Sequence, residues 1–123
     1  MLVTLAWLAL MLVHTPPALA TFSAKLRQRM YGVEEGGALG VILVHRGVLF
    51  LAVAAVCALA AFIPSARVGA ALVVSISLLG FLAVYLIGGA PKQLRTIALV
   101  DTIALAPLAL VLSDVWPKFA TFS

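Results

Sequence analysis

The chain has 123 residues, of which 65% are hydrophobic and only 10% charged, with a formal net charge of +4. A soluble domain carries about 45–50% apolar and about 25% charged residues, and a fold this small has too little interior to hide the excess. Soluble globular, disordered, collagen-like and disulfide-scaffold classes are therefore excluded. A mean hydropathy of +1.25 suits a chain that crosses a bilayer, each helical span taking roughly 20 apolar residues.

The pattern predicts an all-α, polytopic membrane protein: one integral membrane domain, a four-transmembrane-helix bundle with spans near 1–20, 40–63, 68–87 and 96–116. The first segment ends in Ala18-Leu19-Ala20, a small-x-small pattern like that of a signal-peptide cleavage site. It lacks a basic n-region and is interrupted by His14 and Pro16-Pro17, so an uncleaved first helix is expected. The two prolines deny N–H donors to the carbonyls of Leu12 and Val13, which predicts a kink, or a stop and restart. Phe22, Leu26 and Met30 then recur at i, i+4, i+8 with Lys25 and Arg29 on another face and Arg27 as a third charge. That is the spacing of a short amphipathic interfacial helix, with Gly32 as its stop and Glu34-Glu35-Gly36-Gly37 as a turn.

Gly47–Ile63 is an uninterrupted apolar run closed by Pro64-Ser65-Ala66-Arg67. The third span stops at Gly88-Gly89, and Pro91 suits the first turn of a fourth helix. Pro107 frees the carbonyl of Ile103 and is expected to bend that helix. Ala54/Ala58, Ala71/Ser75 and Ala98/Thr102/Ala106 form small-residue stripes that suit close helix approach. Lys25, Arg27 and Arg29 lie in the first connection and Lys92 and Arg95 in the third, against Arg67 in the second and Lys118 in the tail. The positive-inside bias places both termini outside, with Trp116 as an outer-interface anchor. Cys57, the one cysteine, sits mid-span among Ala and Val and reads as an inert buried thiol.

Few ionisable groups lie within the spans: His14, His45, Arg46 and Asp101, with Tyr85 as a weaker acid. Such groups are costly in a membrane and normally face the bundle interior or a partner. At about 1.5 Å rise per residue, His14 and Asp101 fall roughly 20–22 Å from the outer ends of their spans, and His45, Arg46 and Tyr85 roughly 25–27 Å. One inward-facing polar pocket would collect all five, with Asp101 bridged to Arg46 and His14 as a second partner. Competing structural readings are snorkelling for Arg46, an interfacial place for His45 and Tyr85, and a bond from His14 to a nearby carbonyl. Ser75 and Ser77 have no base partner visible in the sequence, and helical serines commonly bond the preceding turn.

The set His14, Pro16-Pro17, Tyr31-Gly32, His45-Arg46, Leu49-Phe50, Ala61-Phe62-Ile63-Pro64, Arg67, Ser77, Gly88-Gly89, Arg95 and Asp101 resembles a family of small bacterial four-span membrane proteins, distantly DoxX-like. Members often carry the label phosphopantetheine adenylyltransferase. That activity needs a soluble nucleotide-binding fold and a histidine motif beside phosphate-holding glycines, and this chain has neither. The resemblance carries no catalytic residues.

The expected function is a non-enzymatic accessory subunit or a small amphipathic ligand- or lipid-binding module. The alternatives are a haem- or quinone-associated redox protein using His14 and His45, and a small dimeric proton-coupled transporter using Asp101. No catalytic residues, metal site or cofactor are expected, since there is no phosphate loop, carboxylate pair or Cys/His ligand spacing. Expected partners are membrane lipids, with further copies of the chain or a larger membrane complex as alternatives. No basic stripe with interleaved aromatics suggests nucleic acid.

Overall fold

The structure, a computed structural model, describes residues 1–32 and 36–120, the side chain of Ala120 excepted. The expected turn at Glu34-Glu35 lies outside the described residues. Within them the chain is helical throughout: α1 Leu2–Leu19, α2 Ala24–Tyr31, α3 Gly37–Phe62, α4 Arg67–Ile87, α5 Arg95–Ile103 and α6 Leu105–Ala120. Four stretches are long and apolar enough to cross a membrane: Leu2–Phe22, Gly37–Phe62, Pro64–Ile87 and Lys92–Phe119.

Prolines act differently at three of their sites. α1 runs through Pro16 and Pro17 without stopping and gives way to a 3₁₀ turn only at Ala20–Phe22. The expected stop and restart at the double proline therefore does not occur. The neighbouring side chains bond back along this helix: His14 Nδ1 lies 2.8 Å from the Leu10 carbonyl, and Thr15 donates to that of Met11 at 2.8 Å. Pro107 has the effect expected of it. The fourth span divides into α5 and α6 at Ala104, next to the carbonyl of Ile103 that Pro107 cannot serve. Pro91 stands one step earlier than expected, before a 3₁₀ turn at Lys92–Leu94 rather than inside the first turn of α5.

α2 starts at Ser23, whose hydroxyl accepts from Leu26 N at 3.1 Å, and ends at Gly32 in the left-handed conformation that glycine tolerates. Lys25 and Arg29 are exposed on it, but Arg27 is buried. Its guanidinium donates to the carbonyls of Ala20 (2.7 Å) and Thr21 (3.1 Å), beyond the end of α1. Arg67 repeats the arrangement at the end of α3, donating to Ala60 (2.8 Å) and Ala61 (3.2 Å). In both cases an arginine seven residues downstream satisfies carbonyls that the helix end leaves without N–H partners.

The long helices close into a ring in which α1 touches α3 and α6, and α4 touches the same two. α1 lies most closely along α3. Gly47 permits this approach near the 3₁₀ turn: a Cβ there would stand 2.9 Å from Thr21 N and collide with the Thr21 hydroxyl. The core is one-sided. Trp7, Leu10, Cys57, Ala60, Ala71, Val74, Leu78, Val111 and Val115 form one buried cluster, set away from the basic connections. Small residues on α3 and α4 admit the Trp7 indole, which is fully buried. Of the small-residue stripes, Ala54 and Ala71 are buried, whereas Thr102 and Ala106 face outward.

Candidate functional site

The half of the bundle near the basic connections holds three concavities, and the five singled-out residues divide among them or beside them. The first, about 520 Å³, is a groove between α3 and α4 lined by apolar side chains together with Arg46 and Ser77. Arg46 stands at its N-terminal α3 end. Its Nε donates to the Tyr31 hydroxyl at 3.2 Å, and its guanidinium carbon lies 4.6 Å from the Phe50 ring centre, 5.4 Å from Phe81 and 5.7 Å from Tyr31. Three ring faces thus surround one planar cation, an arrangement worth most where water is excluded. Tyr85 is half-buried and stacks on Phe81 at 6.0 Å, so it supports the cage from behind.

His14 approaches the same groove from α1. Its Nε2 lies 3.0 Å from Ser77 Oγ on α4, and its ring lies 5.6 Å from Phe50. A carbonyl can only accept, so the contact with Leu10 makes Nδ1 the protonated nitrogen, and in the neutral ring Nε2 accepts from the Ser77 hydroxyl. This hydroxyl–base pair has the spacing of a nucleophile and its general base. Ser77 sits in mid-helix, however, where the neighbouring amides are committed to the helix and offer no oxyanion donors. The pair therefore ties α1 to α4 across the bundle centre.

Asp101 lies elsewhere. It is 7% exposed and lines a cavity of about 330 Å³ with Pro16, Pro17, Arg29 and Thr96. The expected bridge to Arg46 is not formed: no hydrogen bond or ion pair joins them among the described residues, and Arg46 acts on the carboxylate only through space. Arg46 faces the α3–α4 groove and is held there by aromatic contacts. His14 is likewise not a partner of Asp101, since both its ring nitrogens bond Leu10 and Ser77. His45 is exposed and lines a third, more open concavity beside Gly37, Gly40 and Arg27. The structure thus places Arg46 in the groove, sets His14 and Tyr85 against its lining residues Ser77, Phe50 and Phe81, and leaves Asp101 and His45 apart.

Sequence reading missed Ser77 as the partner of His14, and Tyr31, Phe50 and Phe81 as the walls around Arg46. The i, i+4 spacing of Arg46–Phe50 and Phe81–Tyr85 was the available signal, since those positions share a helix face. Among the described residues no group of His, Cys, Asp and Glu is placed to hold a metal ion. Comparison with family models, curated proteins and solved structures finds no match to the chain.

Proposed function

We propose that this chain is an integral membrane protein that binds an anionic amphiphile, its apolar tail along the α3–α4 groove and its anionic group at Arg46. The caged guanidinium at the end of an apolar groove of about 520 Å³ carries this reading. Arginine presents a planar fork matched to carboxylate or phosphate, and the rings hold that fork in place without neutralising it. The four apolar stretches support insertion as a four-span bundle. Lys25, Arg29, Lys92 and Arg95 are exposed at one end and Lys118 near the other, which supports an orientation with both termini outside, in a bacterial inner membrane. The resemblance to small four-span bacterial proteins is part of the same proposal, as is a non-enzymatic role, alone or within a larger complex. The haem alternative gains no support, because both nitrogens of His14 already bond protein atoms.

The test is fluorescence titration of purified protein with cis-parinaric acid and with the alcohol of the same chain. The acid is expected to bind about tenfold more tightly, and Arg46→Met to erase the difference. Equal binding of acid and alcohol by the wild-type chain would overturn the reading.

A further inference from the structure

The cavity at Asp101 is separate from the α3–α4 groove and has a different chemistry. Asp101 is 7% exposed, and among the described residues no donor reaches its carboxylate. A buried carboxylate without donors is strongly unfavourable unless it takes up a proton or meets a cation. The space in front of it, about 330 Å³, is far larger than a bare ion needs. Its other wall is the double-proline segment of α1: Val13, Pro16 and Pro17 line the cavity. Pro16 and Pro17 supply no N–H to the carbonyls of Leu12 and Val13, one turn back along the same helix. Thr96 adds a hydroxyl. Gln93 adds an amide, so the recess offers the Asp101 carboxylate, a hydroxyl and an amide oxygen as acceptors. Arg29 lines the same cavity from α2, at the end of the bundle where Lys25 and Arg95 are also exposed.

We infer that this cavity takes a zwitterion whose primary ammonium enters toward Asp101 and whose phosphate stays at Arg29, the chemistry of a phosphoethanolamine group. An –NH₃⁺ brings three donors, which the Asp101 carboxylate, the Thr96 hydroxyl and the Gln93 amide oxygen can accept. A trimethylammonium brings none, and the cavity lining has no aromatic face to hold one by its charge alone. A phosphate diester suits the guanidinium fork of Arg29. The compensating charges on the ligand match the opposite charges of Asp101 and Arg29, which do not neutralise one another in the structure. The phosphoethanolamine can belong to a lipid or be a free soluble compound. The inference shares with the proposed function only the placement in a membrane, and it uses none of the groove residues.

The test is lipid retention by the full chain after exchange from nanodiscs holding equal amounts of phosphatidylethanolamine, its N-methyl and N,N-dimethyl forms, and phosphatidylcholine, read by native mass spectrometry. Retention is expected to fall stepwise with methylation, by about tenfold overall. Asp101→Asn should level the series, and Arg29→Gln should weaken all four lipids alike. Thr96→Trp, at an exposed position on the cavity wall, should abolish retention and serves if Asp101→Asn does not fold. Displacement by free phosphoethanolamine would assign the site to the soluble compound, and persistence of the lipid would assign it to the membrane. Equal retention of ethanolamine and choline lipids by the wild type, or an unchanged series in Thr96→Trp, would overturn the inference.

Discussion

Ser77 and His14 are 63 residues apart in the chain and meet at 3.0 Å. Replacing Ser77 by alanine leaves a ring nitrogen of a buried histidine without its partner, and a cost of about 1–3 kcal/mol is expected in reversible unfolding in detergent–SDS mixtures. Gly47→Ala tests a second close approach. The added methyl meets backbone as well as the Thr21 side chain, so neither wall yields cheaply, and a loss of about 1–3 kcal/mol by the same assay is expected. The pair Arg46 and Asp101 gives a contrasting prediction. A buried bridge would couple the two by several kcal/mol, whereas charges that act on one another only through space should show a clearly smaller coupling in a double-mutant cycle of Arg46→Met and Asp101→Asn. At this scale the sequence was informative about identity and silent about pairing. His14, Arg46 and Asp101 stood out because ionisable groups are rare in apolar helices. Their partners depend on the rotation of each helix about its own axis, and a small-residue-rich chain, apolar on nearly every face, does not encode that rotation in its periodicity.

Helix ends were more legible than helix faces. Ser23 and Gly32 bound α2 as their chemistry requires, and the break at Ala104 follows from Pro107. Of the two expectations at the double proline, a kink or a stop and restart, the second is not met, since α1 continues through Pro16 and Pro17. The role of Arg27 and Arg67 was not legible, since a basic residue near a span end looks the same whether it faces headgroups or bonds a carbonyl. Arg67→Met removes two charge-assisted bonds from the α3–α4 connection and is expected to cost about 2–3 kcal/mol, measured by thermal unfolding in detergent. The connection after α4 supplies the opposite case. Ala90 adopts φ 52°, a left-handed conformation unfavourable for a residue with a Cβ. Ala90→Gly should therefore stabilise the protein by about 1 kcal/mol in the same measurement.

Taken whole, the bundle is divided by packing along its length. The half holding Trp7, Cys57, Val74 and Val111 is filled by side chains, and the half near α2 holds all three cavities described above. Hydrogen–deuterium exchange should follow this division, with the slowest amides in 54–61 and 105–115 and faster exchange in α2 and the first turns of α3. Composition foretold four apolar helices, but not this asymmetry, which depends on how Trp7 fits against the small side chains of α3 and α4. The arginine clasps have a consequence for biogenesis. Arg67 sits at the start of α4 and holds the last carbonyls of α3, so these two helices carry their own latch as soon as both have left the ribosome. The Gly88–Pro91 connection has no comparable latch among the described residues, and the last helix must wait for α1 and α4 to form its berth. The α3–α4 hairpin is accordingly fastened at its connection before the chain beyond Gly88 is made. The α5–α6 segment is the last to dock, and its arrival completes the wall on which Asp101 sits.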